Sequence, residues 1–241
     1  MDPKDVKQWE KFSSTAAFNS FMFDGERSRY SQELFALLAT HSAIPFKKDD
    51  FVTSDKHTID EMASSIVTLG FFCFLTKLLR PQLLVEIGSF VGFSTCNLGA
   101  CLPSCGMVYS FEKYEKFATI AKANIKRLSL SDKAEVIVGD AKDTLGNFLA
   151  NSAPVDLAFI DGNKEDYATY FGLILDALSS NGLIIVDDVF FHGDAVNKNP
   201  KTAKGIGVQK LLEELKHNHL IEYTVIPVSN GIALVSKRQD L

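Results

Sequence analysis

From Leu83 onward the chain alternates short apolar, β-branched runs with longer helical patterns, and no other feature constrains its fold as tightly. Leu83–Gly88, Met107–Glu112, Ala134–Gly139, Val155–Asp161 and Gly182–Asp188 read as strands. Phe93–Cys101, Tyr114–Leu128, Lys142–Ala150, Asp166–Leu178 and Ile206–Asn218 read as helices. Such spacing demands right-handed crossovers and a mainly parallel sheet with helices on both faces. The ending differs: Glu222–Val228 and Gly231–Lys237 are separated only by Ser229-Asn230, which leaves room for a hairpin and none for a helix. The predicted fold is α/β, a doubly wound, Rossmann-like sheet of seven strands closed by an antiparallel hairpin.

Upstream, Thr58-Ile-Asp-Glu61 has the form of a capping box opening a helix that Pro81 ends. Residues 58–241 are expected to form the main domain. Residues 1–57 are expected to form a helical appendage, with aromatic Phe18–Phe23 and a helical Tyr30–Thr40, serving as lid, dimer contact or core packing. The net charge of −5 argues against a polynucleotide partner. The longest apolar run, Ile66 to Thr76, falls well short of the ~20 residues a membrane helix needs. Met1 to Lys11 is charged and lacks the apolar stretch of a secretion signal, so a cytoplasmic protein is expected. Cys73, Cys96, Cys101 and Cys105 lack metal-ligand spacing and read as buried reduced thiols.

The first strand runs out into Glu86-Ile-Gly88-Ser-Phe90-Val-Gly92-Phe-Ser94. Glycines at a strand-to-helix turn let a ligand approach the backbone, and the free amides of the next helix suit a carboxylate. Phe90 stands where a dinucleotide site has its middle glycine, which disfavours a pyrophosphate and leaves S-adenosylmethionine as the better ligand. Glu86 is placed to meet the ammonium of that zwitterion. Glu112 closes the second strand, where a carboxylate accepts ribose hydroxyls; it also reads as a helix N-terminal charge. Asp140-Ala141, after the third strand, suits the adenine, and Asp140 reads equally as an N-cap.

Strand four ends in Asp161-Gly-Asn-Lys164 and strand five in Asp187-Asp188. Carboxylates converging on adjacent strand tips repel unless neutralised, and an all-oxygen set favours a hard divalent cation, Mg²⁺ before Mn²⁺ or Ca²⁺. Ser94, at the start of the helix after the first strand, is a further cofactor-binding candidate. Taken together, Glu86-x-Gly88, Glu112, Gly139-Asp140-Ala141, Asp161-Gly-Asn-Lys164, Asp187-Asp188 and Ile226-Pro-Val-x-x-Gly231-Ile-Ala-Leu resemble the cation-dependent catechol/caffeoyl-CoA O-methyltransferase family, a class I S-adenosylmethionine-dependent family with this strand arrangement. The resemblance spans roughly residues 51 to 237. It implies Asp161, Asp187 and Asp188 as metal ligands, Asp161 also bordering the cofactor, Lys164 as general base, and a homodimer. The family more often has Asn where this chain has Asp188.

The activity so implied is methyl transfer from S-adenosylmethionine to a hydroxyl of a small catechol-like phenol. The cation would acidify that hydroxyl, and Lys164, its pKa depressed by neighbouring cations, would remove the proton. Phe190, Phe191, Tyr167 and Tyr170 are candidates to stack on the acceptor, or core residues; His192 is a candidate pocket residue. The competing readings are methylation of a hydroxylated tRNA nucleoside and a non-catalytic nucleoside-binding module.

Overall fold

A computed structural model describes residues 37–53 and 58–239. Most of the expected appendage, including Phe18–Phe23 and the greater part of Tyr30–Thr40, lies outside the described residues, where 37–41 form a helical turn. Seven strands make one sheet in the order β3-β2-β1-β4-β5-β7-β6. They are β1 (Leu83–Ile87), β2 (Met107–Glu112), β3 (Ala134–Val138), β4 (Val155–Ile160), β5 (Leu178–Val186), β6 (Ile221–Ile226) and β7 (Ile232–Lys237). The first five pair in parallel, and β7 runs antiparallel to both β5 and β6. The predicted class, with its reversed hairpin, is the observed one.

The helices are α1 (Ile59–Met62), α2 (Ile66–Leu79), α3 (Phe93–Gly99), α4 (Glu115–Arg127), α5 (Ala141–Ala150), α6 (Tyr167–Ala177) and α7 (Ala203–His217). Every residue of β1 is buried, as a central parallel strand requires. On one face of the sheet α5, α6 and α7 bury Leu145, Phe171, Ile174, Val208 and Leu211. On the other face α2, α3 and α4 bury Leu69, Phe72, Phe93, Ala121 and Ile125, with Phe72 tilted against Phe159 of β4 at 4.8 Å. The chain leaves β1 toward β2 and later returns to β4 on the other side, so the switch point opens between the carboxyl ends of β1 and β4.

Three expectations change. The single helix expected from Thr58 to Pro81 is two, because Ser65 restarts it: its hydroxyl accepts from the Thr68 amide at 3.1 Å and caps α2. The side chain of Glu61 lies outside the described residues, so the capping box itself is not described. Strand β5 begins at Leu178 rather than Gly182, and its pairing with β4 shifts register between Val155 and Leu157, a bulge that absorbs the polar Ser179-Ser180-Asn181. Cys105 is exposed, while Cys73, Cys96 and Cys101 are buried; all four are free thiols. No helix among the described residues is long and apolar enough to cross a membrane.

Gly172 lies mid-helix in α6, and a Cβ built there meets nothing within 4 Å. Helical glycine carries an entropic penalty with no packing return at this site. Gly172→Ala is expected to raise unfolding stability by about 0.5–1 kcal/mol, read by chemical denaturation; a lower midpoint would show a close contact at that face.

Candidate functional site

The site is built at the carboxyl edge of β1, β4 and β5. The turn after β1 is bound into its neighbours by main-chain bonds: the Gly88 amide donates to Phe111 O and the Asp161 amide to Ile87 O, each at 2.9 Å. Gly88 has φ of 99°, and a Cβ there would stand 2.6 Å from the Asp161 carbonyl oxygen. What the glycine first makes room for is therefore the main chain after β4. The turn after β1 and the acidic edge meet at that contact.

Behind the turn, Glu86 is fully buried, and the Thr95 hydroxyl donates to its Oε2. Burial pushes its pKa up to about 7, against the pull of the Ser110, Ser94 and Thr95 hydroxyls. Only the Thr95 bond has full hydrogen-bond geometry, so Oε1 is left without a partner, as is the buried hydroxyl of Ser89. Buried oxygens left without a partner at the switch point are what a polar ligand would satisfy. Ser94 lies in the first turn of α3 with 9% exposure.

Glu112 accepts from the Phe90 amide at 2.8 Å and from the Tyr114 amide at 2.9 Å, one bond to each oxygen. Burial raises its pKa while these amides oppose the rise. It thereby pins the Gly88–Gly92 turn to the start of α4. Asp140 is the N-cap of α5, accepting from the Lys142 amide, and pairs with Lys113 Nζ at 2.8 Å, which holds its carboxyl below the usual range. The capping reading of Asp140 is thus realised, and Ala141 is buried in the core under it.

Of the predicted acidic set, Asp161 and Asp188 converge on one cation already in the chain. Lys164 Nζ lies 2.8 Å from Asp161 Oδ1 and 3.0 Å from Asp188 Oδ2, and stands 5.5 Å over the Tyr167 ring. Asp187 sits at their side; its Oδ1 accepts from the Asp188 amide at 2.8 Å and its Oδ2 from the Ser64 hydroxyl at 3.3 Å. Among the described residues no group of three or more His, Cys, Asp or Glu side chains forms a ready metal cage, since the ammonium occupies the space between two of the three aspartates. Burial, then Asp161 and Asp188, push the Asp187 pKa up to about 8. Burial also raises Asp161, with Lys164 opposing. One ammonium among three carboxylates leaves an excess of negative charge in a desolvated place.

The expected depression of the Lys164 pKa is reversed in this state. Burial acts to lower it, but Asp161, Tyr167 and Asp188 outweigh burial and hold the proton firmly. Asp188 has φ of 61°, a left-handed conformation that Asp and Asn tolerate better than other side-chain-bearing residues. Tyr167 and Tyr170 are core residues, 0% and 2% exposed, so they cannot stack on an acceptor. Phe190 and Phe191 pack partly against the same core, whereas the exposed His192 sits in a strained loop with φ of 54°. Ser64 escaped the sequence reading; two adjacent serines inside a helical pattern were the available signal, since serine competes for backbone bonds there.

A family described as O-methyltransferase matches residues 45–238. The chain is 30% identical over 173 residues to the catechol O-methyltransferase of Mycobacterium tuberculosis, covering 72% of this chain and 77% of that protein. It is 25% identical over 187 residues to the caffeoyl-CoA O-methyltransferase of Stellaria longipes, covering 74% and 78%. Among solved structures, an SAH-bound methyltransferase from Podospora anserina superposes with a TM-score of 0.78 at 22% identity, over 88% of this chain and 96% of that one. An O-methyltransferase from Bacillus cereus in complex with SAH gives 0.71 at 23% identity, over 97% and 100%. The extent of the family match, on the sheet and turn described above, establishes that this chain belongs to the class I S-adenosylmethionine-dependent O-methyltransferases.

Proposed function

We propose that the enzyme transfers the methyl group of S-adenosylmethionine to a hydroxyl of a small catechol-like phenol, with a divalent cation held at the acidic edge. The observation that carries this reading is the gathering of Asp161 and Asp188 around a single ammonium with Asp187 alongside, at the edge that Gly88 joins to the cofactor turn. The residues suit a hard cation: three carboxylates, all oxygen donors, and more negative charge than Lys164 neutralises. Asp161, Asp187 and Asp188 would hold the ion, which would supply Lewis acidity toward a substrate hydroxyl. The relatives named for catechol and caffeoyl-CoA support the acceptor class.

The chain's own groups then divide the work. Glu86, Gly88, Ser94, Glu112, Asp140 and Ala141 line the cofactor side, and Glu86 Oε1 is free to take an ammonium hydrogen. Lys164 is the general base. Its proton is held by carboxylates, so neutralising those carboxylates is what lets that proton pass to solvent; the neutral amine then accepts the proton of the acceptor hydroxyl. The phenolate oxygen is left aligned with the sulfonium methyl, and alignment in a dry pocket supplies most of the acceleration.

Asp161→Ala, or excess EDTA, is expected to lower catechol turnover by at least about a hundredfold while SAH affinity changes only a few-fold; full turnover in EDTA rejects the cation. Lys164→Met is expected to reduce kcat by about 10²–10⁴-fold with little change in cofactor affinity, measured by calorimetry beside steady-state kinetics; unchanged kcat rejects the base.

Glu86 makes a pH test available. Burial penalises its ionised form, so Glu86 should cost the ligand-free protein stability as pH climbs from the normal Glu range to about 7, its share being complete above that while Asp187 adds its own up to about 8. Glu86→Gln is expected to remove the Glu86 share, roughly 3 kcal/mol by the shift, and to weaken SAH binding. Denaturation curves at acid and alkaline pH that differ equally for both proteins would show Glu86 is not the group responsible.

A further inference from the structure

Helix α7 carries two glycines in its first turns, Gly205 and Gly207, in a helix whose other positions favour strong helix formers. Each abuts a loop at the site edge. A Cβ on Gly207 would lie 2.4 Å from the Lys164 carbonyl oxygen, 2.5 Å from Glu165 Cα and 2.9 Å from Glu165 C. A Cβ on Gly205 would lie 2.1 Å from Asp194 Oδ2. Gly207 meets main chain, which cannot rotate out of the way as a side-chain tip does.

We infer that Gly207 is a positioning residue for Lys164: its missing side chain sets how deeply the lysine's backbone seats between α7 and the acidic edge. The inference rests on the functional role proposed for Lys164.

Both partners of this contact are constrained, which decides what would move. Helix α7 cannot retreat easily. Val208, Leu211 and Leu215 are at most 1% exposed, and Asp194 accepts from the Lys201 and Thr202 amides and the Thr202 hydroxyl, tying down the helix start. The lysine segment is anchored on either side of the contact, by the Asp161 amide on Ile87 O and by Tyr167 in the core. Lys164 and Glu165 lie between those anchors. Adding a methyl group therefore pushes this two-residue stretch outward by about 1 Å to restore ordinary contact. Lys164 Nζ, now 2.8 Å and 3.0 Å from two carboxylates, is carried with it. A misplacement of that size at a reacting group can cost about a hundredfold in rate.

The test compares Gly207→Ala with Gly172→Ala, the same substitution in the neighbouring helix where the added methyl meets open space. Turnover uses catechol itself with labelled S-adenosylmethionine and Mg²⁺; SAH affinity and thermal midpoint are measured alongside. Gly207→Ala is expected to lower kcat tenfold to a hundredfold while SAH affinity stays within twofold of the parent, and Gly172→Ala to leave kcat unchanged. In single-turnover label transfer, adding Gly207→Ala to Lys164→Met should cause no further loss, because a residue acting through Lys164 has nothing left to act on. Hydrogen exchange should quicken at the Lys164–Asp166 amides, which reads the displacement even where Lys164→Met has no measurable turnover. A Gly207→Ala enzyme with parental kcat overturns the inference, as do losses that multiply in the double variant, unchanged exchange in the lysine segment, or a variant too unstable to bind SAH, which would make Gly207 a general packing residue. Parental turnover by Lys164→Met defeats instead the proposed role of the lysine, an outcome separable from the others.

Discussion

The close passage of Gly88 against the Asp161 carbonyl is the constraint on which the site depends. It is main chain against main chain, 2.6 Å from where a Cβ would sit, so no side chain can be inserted without parting β1 from the strand end beside it. Because the two strands are adjacent and parallel, the same contact fixes the turn after β1 and the first aspartate of the acidic edge. Glu112 completes the arrangement from β2, spending both carboxylate oxygens on backbone amides of the turn and of the following helix. Methyl donor and acceptor chemistry can then be held in register by the sheet itself, without long loops having to find each other.

Electrostatics gives the edge its character. Asp161, Asp187, Asp188 and Lys164 share a desolvated pocket in which one positive charge faces three potential negatives. The raised pKa of Asp187 and the firmly held proton of Lys164 are two expressions of that mismatch. Such a cluster is poorly balanced by itself, and charge supplied from outside changes the protonation of several groups together.

Periodicity made the strands readable because apolar runs of fixed length are what a two-sided parallel sheet requires, and Asp161, Asp187 and Asp188 were readable because acids directly after such runs must fall on its edge. Local competition was harder to see. The break before α2 turns on Ser65 capping a new helix while its neighbour Ser64 reaches Asp187, a choice between local and distant partners that helical spacing does not encode. Tyr167 and Tyr170 resembled pocket aromatics by position, yet their helical phase turns them into the core. The role of Gly207 was invisible in principle, since a glycine in a helix reads as a weakness until the chain packed against it is known.

The left-handed backbone at Asp188 bears on which substitutions this edge tolerates. That conformation narrows the acceptable residues largely to Asp, Asn and Gly. Exchange of Asp for Asn there swaps one oxygen for an amide nitrogen, leaving the chain path alone while removing a full unit of charge. A single nucleotide change can therefore retune the charge of this edge with little effect on folding, so its chemistry can change without the scaffold first being rebuilt.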